Sequence, residues 1–367
     1  MHSLFKSNFL LTLVFMVVLH SACHKKRDQP LDPEIVLKDT ALILAYDHFY
    51  EDFDWAFTDT PSIPMVSAAR LLCGYAPNKR WGRLSWNWTA CPLNPLLATT
   101  AKGELLLQVP GNSLKQGSQV ETLRHDYGYG VYRARIKAGA HSGIRSGSQA
   151  TGSVNAFFFY SDSTGHEIDI EILTVEHVAK KVYFTTHPGN YSIGYVLPND
   201  PTSQYFEYGF NWYANKVDFF VDEVIVATQT HGIPSDKGKL IFNHWTGNPF
   251  WGGSPPTDVA TMQVDAVWHT PFLLVTYPDA SHCSFSKETI LEIAWNAYGE
   301  IQSHPVNIEL WNNGKFFEPI AQNVANTGSF QWHIPPSLPI SSNYQIKVCS
   351  NLSEVYFDCS DVGFSIR

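Results

Sequence analysis

The sequence predicts an all-β chain with the sandwich as its default architecture. Three observations carry that expectation: short segments rich in β-branched and aromatic residues, Gly, Pro, Asn and Asp between them, and no long stretch with a strong apolar period of 3.6. In order, the strand-like segments include Ala41–Ala45 (ALILA), Glu104–Val109 (ELLLQV), Val131–Lys137 (VYRARIK), Val154–Tyr160 (VNAFFFY) and Lys216–Val226 (KVDFFVDEVIV). A length of 367 residues fits two domains at roughly 150 residues each. The boundary is expected near His269–Pro278 (HTPFLLVTYP), after which the strand-and-turn rhythm repeats at a size suited to an immunoglobulin-like sandwich. Trp295, Trp311 and Trp332 lie in that stretch among strand-like neighbours and are expected in its core.

Composition narrows the function classes. Aromatic residues make up 14% and charged residues only 16%, which excludes a disordered chain and argues against a coiled coil. The formal charge of −9 and the lack of a long Lys/Arg run argue against nucleic-acid binding, because affinity for phosphates needs clustered cations. Many Trp and Tyr with few charges suit neutral, flat-faced ligands such as sugars, though core packing explains them equally. Trp81, Trp86 and Trp88 (RWGRLSWNW) divide the same way between core and a glycan groove, with Trp86 and Trp88 sharing a strand face.

The N-terminus reads as an export signal over residues 1–22. Lys6 gives a modest basic region, Phe9–Leu19 an apolar one, and Ser21-Ala22-Cys23 a small-residue cleavage site. That apolar run is too short to span a bilayer, which needs nearly 20 residues, and no mature transmembrane helix is expected. The ending His20-Ser21-Ala22-Cys23 resembles a bacterial lipobox, with His20 departing from the usual Leu; the alternative is an ordinary signal peptide. The resemblance implies a lipid anchor at Cys23 as the one membrane contact, a tether over 23–40, and a place at the cell surface or outer membrane, or in the medium. An exported chain can form disulfides: Cys73 with Cys91 and Cys349 with Cys359 are candidate pairs, leaving Cys283 odd if Cys23 is lipidated. No CxxC pair or HExxH spacing indicates zinc.

The stretch that carries chemistry is Gly165–Leu173, GHEIDIEIL. In a strand, residues two apart share a face. Glu167, Asp169 and Glu171 therefore share one face and Ile168, Ile170 and Ile172 the other, which belongs in a core. Three adjacent carboxylates repel one another and weaken the sheet. Crowding raises the proton affinity of at least one, so a protonated acid stands beside an ionised base near neutral pH. Glu167 and Glu171 have Cα atoms about 13 Å apart along a strand. Inward-leaning side chains would bring the carboxyls to about 6 Å, near the roughly 5–5.5 Å of a retaining glycosidase.

The EIDIE run resembles the catalytic motif of glycoside hydrolase family 16, which includes lichenases, laminarinases and xyloglucan endotransglycosylases. The similarity covers roughly residues 100–268, and more loosely from about 41. Tyr127-Gly128-Tyr129-Gly130-Val131-Tyr132 with Ala134-Arg135, the aromatic run Phe157–Tyr160, Tyr208–Trp212 with Phe219–Asp222, and Asn243-His244-Trp245 resemble further family segments. The resemblance implies a β-jelly-roll (concanavalin A-like) sandwich over 41–269, with Glu167 as nucleophile, Glu171 as general acid/base and Asp169 tuning the nucleophile. It places Arg135, Tyr160, His187, Asn243 and Trp245 on the substrate, and Asp265 at a position that helps hold a structural calcium in lichenase-like relatives. No other metal or cofactor is expected. Several positions depart from the family: Arg133 stands for Glu, His166 for Asp or Trp, Thr185 and His187 for Asn and Tyr, and Glu223 for Gly. The absence of an extra residue within EIDIE leans toward lichenase-like or xyloglucan-enzyme-like relatives. Residues 270–367 resemble Kre9/KNH-type Ig-like domains through VNIELW, NTGSFQW and YQIKV, which implies a spacer or wall-binding domain.

The expected activity is that of a monomeric, retaining endo-β-glucanase acting on β-1,3 or mixed β-1,3-1,4 polysaccharide. A transglycosylase on β-glucan or xyloglucan, a non-catalytic glycan-binding surface protein, and an adhesin dominated by the C-terminal domain remain as alternatives.

Overall fold

The computed structural model describes residues 49–57, 70–77, 80–111, 114–140, 151–176, 180–247, 251–279 and 283–367. The export signal, the lipobox-like Cys23, the tether and the Ala41–Ala45 segment lie outside the described residues. Among the described residues, no helix is long and apolar enough to cross a membrane. The chain divides into two compact units, with Phe49–His269 in one and Thr270–Arg367 in the other.

The first unit is a β-sandwich of the jelly-roll class. Its strands are β1 (Phe49–Glu51), β2 (Leu71–Tyr75), β3 (Trp81–Ser85), β4 (Ala98–Ala101), β5 (Glu104–Val109), β6 (Ser118–Thr122), β7 (Gly130–Lys137) and β8 (Val154–Tyr160). There follow β9 (Glu167–Leu173), β10 (Lys181–His187), β11 (Tyr191–Val196), β12 (Phe206–Trp212), β13 (Val217–Val221), β14 (Val224–Gln229), β15 (Lys239–Trp245) and β16 (Ala260–Pro271). One eight-stranded sheet runs β14-β13-β12-β7-β16-β5-β4, with β1 also on β16. The other runs β11-β10-β9-β8-β15-β6-β3-β2.

Alternation along each strand builds the core between the sheets. Tyr132, Ala134 and Ile136 of β7 and Phe206, Tyr208, Phe210 and Trp212 of β12 face Phe157 and Phe159 of β8 and Ile168, Ile170 and Ile172 of β9, all buried. Burying each isoleucine contributes about 2 kcal/mol. Register is therefore strongly fixed: slipping β9 by one residue would exchange three isoleucines for three carboxylates in the core. Trp81 is fully buried in this core, while the half-buried Trp86 and Trp88 stack on each other, centroids 6.1 Å apart.

The expected strand over Lys216–Val226 is instead a hairpin, β13 and β14, with Val221 opposite Val224. Asp222 (φ 47°) and Glu223 (φ 67°) both adopt the left-handed conformation that a two-residue hairpin turn requires. The apolar residues on either side mask that turn in the sequence.

The second unit has β17 (Leu273–Tyr277), β18 (Ser284–Phe285), β19 (Ile290–Ala297), β20 (Val306–Asn312), β21 (Lys315–Val324), β22 (Ser329–His333), β23 (Ser341–Ser350), β24 (Phe357–Cys359) and β25 (Phe364–Ile366). A three-stranded sheet, β17-β19-β22, and a six-stranded sheet, β18-β25-β23-β20-β21 with β24 on β23, form an Ig-like sandwich. Trp295 and Trp332 are buried. Trp311 is half-buried under the Lys347 ammonium, 5.1 Å from its ring centroid.

The two candidate disulfides are not present: Cys73, Cys91, Cys349 and Cys359 are free thiols. Cys73 sits on β2 opposite Arg83, whereas Cys91 packs among Val154, Ala156, Leu173 and Trp245. Cys349 and Cys359 lie on paired strands but face Phe357 and Lys347 respectively across the ladder.

Candidate active site

The face of the second sheet that points away from the core carries the acidic residues. Both neighbours of β9 pair with it in unbroken register, β8 over Glu167–Leu173 and β10 over Glu167–Ile172, so no bulge re-aims its acidic side chains. Three rungs result. The first is His187 (β10), Glu167 (β9), Tyr160 (β8) and Lys239 (β15). The second is Thr185, Asp169, Phe158, Ile241 and, on β6, Glu121. The third is Tyr183, Glu171, Ala156, Asn243 and Gln119.

The carboxylates differ in setting. Glu167 and Glu171 are half-buried, whereas Asp169 is 6% exposed. Burial comes first and the charge of Asp169 second in pushing Glu167 up to about 8, against which the His187 imidazole works. Asp169 is raised well above the usual carboxylate range by burial and by Glu171. Glu171 is also raised by burial, but a hydrogen bond from the Trp251 indole opposes the rise. The three titrate as one unit that cannot be fully ionised near neutral pH. A group that keeps its proton beside one that has lost it is the requirement for acid-assisted nucleophilic displacement.

The surroundings are aromatic and ionic. Trp251 donates Nε1–H to Oε1 of Glu171 at 3.2 Å, and its ring lies 4.8 Å from that of Tyr183. Beyond Tyr160, the fully buried Lys239 binds Glu121 (3.2 Å) and Asp162 (2.8 Å), and Arg70 pairs with the same Glu121. His187 places Nε2 3.1 Å from Asp169 Oδ2 and 3.6 Å from Glu167 Oε2. Glu167, Asp169 and His187 are also the one group among the described residues with metal-ligand spacing, their ligand atoms lying within 4.8 Å.

The structure brings Glu167, Asp169, Glu171, Tyr160, His187, Asn243 and Trp245 to one face of one sheet. Trp245 is only 7% exposed and meets the half-buried Trp88 edge-on at 5.1 Å. Arg135 stands apart. It projects from the outer face of β7, in the opposite sheet, since Ala134 and Ile136 on either side of it fill the core. There it pairs with Asp265 at 2.5 Å and lies over Tyr205.

Sequence reasoning did not single out Trp251, Glu121 or Lys239. The alternation in Ser118–Thr122 (SQVET) was a usable signal for Glu121, because it puts Gln119 and Glu121 on one face. Trp251 lies outside any alternating run and carries no periodic signal.

Comparison with known proteins accords with this geometry. The family model described as Glycosyl hydrolases family 16 matches residues 82–268, and that of the Kre9/KNH-like N-terminal Ig-like domain matches 279–358. A beta-glucanase of Bacillus subtilis (strain 168) is 34% identical over 135 residues, 35% of this chain and 52% of that protein. A beta-glucanase of Bacillus amyloliquefaciens is 31% identical over 170 residues, 43% of this chain and 66% of that protein. The matched stretches thus span about half to two thirds of those relatives. A solved prokaryotic beta-1,3-1,4-glucanase (lichenase) from a mouse hindgut metagenome is similar over 62% of this chain and 100% of its own, with 24% identity and a TM-score of 0.49. With more than half of its length matched by the first model, and an acidic strand set in that sandwich, the chain belongs to glycosyl hydrolases family 16.

Proposed function

We propose that the protein is a retaining endo-β-glucanase acting on β-1,3 or mixed β-1,3-1,4-linked polysaccharide. The observation that carries this reading is the unbroken β9 ladder, which keeps Glu167, Asp169 and Glu171 on one aromatic-lined face. Glu171 delivers its proton to the glycosidic oxygen while the Glu167 carboxylate attacks the anomeric carbon. The glycosidic bond breaks, the leaving sugar departs as an alcohol, and a covalent glycosyl-enzyme remains. Glu171, now a carboxylate, removes a proton from water as the water displaces Glu167. Aromatic faces stack on the C–H surfaces of the sugar rings, a role suited to Tyr160, Tyr183, Trp88 and Trp251. No metal or cofactor takes part in this scheme. Export, anchoring at Cys23 and action as a monomer complete the proposal.

The deciding experiment follows the first product from lichenan, laminarin and xyloglucan by NMR, for wild type and Glu167→Gln. A retained β-configuration that disappears in the variant supports the reading. An inverted product, or a Glu167→Gln enzyme as active as wild type, overturns it. Transfer to added glucan acceptors in place of water would reassign the activity to a transglycosylase.

A further inference from the structure

Asp169 has an unusual shortage of partners. It is 6% exposed and lies between two other carboxylates on β9. Its neighbour on β8 is Phe158, which has no polar group, and its neighbour on β10 is Thr185, whose hydroxyl donates to Ser192 at 3.0 Å. Among the described residues, the one side chain with a donor in reach is His187, one rung along, with Nε2 3.1 Å from Oδ2. A buried carboxylate without a partner is expensive to keep in place. We propose that His187 is a positioning residue, whose imidazole Nε2 lies between Asp169 and Glu167 and holds the Asp169 side chain beside the nucleophile, rather than a substrate-binding residue. The inference rests on the reading of Glu167 as the nucleophile.

We assign the hydrogen to Nε2, because two carboxyl oxygens face that nitrogen, at 3.1 and 3.6 Å, and whichever of them is ionised is stabilised by a donor there. Lying 3.1 Å from Asp169 and 3.6 Å from Glu167, the imidazole offsets the repulsion between the two. Charge is then redistributed at Glu167, as its carboxylate becomes the glycosyl ester, without movement of Asp169. That is electrostatic preorganisation supplied by a residue that need not touch the sugar.

Two variants and one spectroscopic measurement test the proposal. His187→Leu removes the donor, and His187→Gln returns an N–H at a similar reach. Expected is a fall in kcat of about 100-fold for His187→Leu with KM within about 3-fold of wild type, and recovery of about 10-fold of that loss in His187→Gln. A raised KM with kcat unchanged would make His187 a substrate ligand and overturn the proposal. Independently of turnover, 15N NMR of the full wild-type chain should show the Nε2–H tautomer of His187, with that preference lost in Asp169→Ala. An Nδ1–H tautomer in wild type, or a signal indifferent to Asp169→Ala, would also overturn it. If no β-glucan is hydrolysed by wild type, the proposed activity falls and the NMR result alone decides the role of His187.

Discussion

The indole N–H of Trp251 meets Oε1 of Glu171 at 3.2 Å. A donor aimed at a carboxylate favours its ionised form, and here it opposes the burial that raises Glu171. Trp251→Phe keeps a ring against Tyr183 and deletes the donor. Glu171 should then hold its proton to higher pH. With Glu171 as general acid, the alkaline limb of the kcat/KM profile should move upward. An unmoved limb would show that another group sets it.

Glu167 should lower stability near neutral pH. Its proton affinity in the folded state is raised to about 8, against 4.5 for an ordinary glutamate, so the carboxylate that attacks the sugar is the minority form near neutral pH and grows as pH rises. Between those values the folded state binds more protons than the unfolded one, so stability falls as pH rises. Glu167→Gln removes that dependence. Its Tm should exceed that of wild type at pH 8 and converge on it near pH 4.5, which thermal scans at both pH values would measure, while activity is lost.

The pair formed by Lys239 and Glu121 is fully buried on both sides. Lys239→Met would leave Glu121 with Arg70 and a 3.3 Å bond from Gln119, so the loss should fall at the low end for a broken buried pair, about 3 kcal/mol. Adding Glu121→Gln should recover much of it. Urea unfolding of the single and double variants would give both values, and a double variant as unstable as the single would contradict the pairing.

Glu223 occupies the second left-handed position of the β13–β14 turn at φ 67°, where a side chain beyond glycine is disfavoured by about 1 kcal/mol. The carboxylate of its neighbour Asp222 is engaged, accepting from the Glu207 N–H at 2.9 Å. Glu223→Gly should therefore raise the Tm by a few degrees without changing kcat. A lower Tm would show that Glu223 makes a compensating contact.

Alternation made much of the molecule readable in advance. The strands over 104–109 and 154–160 lie where the residue pattern puts them, and the isoleucines of β9 are fully buried opposite its carboxylates. These are properties of one strand, set by a period of two. Arg135 shows where local pattern fails. Its neighbours resemble a family segment, yet a resemblance along the chain does not say which sheet a strand joins, and β7 belongs to the other one. The thiols show the same limit, since spacing does not report register: Cys349 and Cys359 share a face of paired strands but sit on different rungs.

What the sequence determined by itself is the pairing of an acidic with an apolar face on β9, and with it the fold class and the chemistry of the triplet. Tertiary structure alone decided the company those acids keep. Trp251 arrives 80 residues later in the chain than Glu171, and His187 reaches Asp169 only because β10 folds back in antiparallel register with β9. Periodicity is a local property of backbone geometry, whereas proton affinity in a buried cluster depends on distances between segments that only packing brings together.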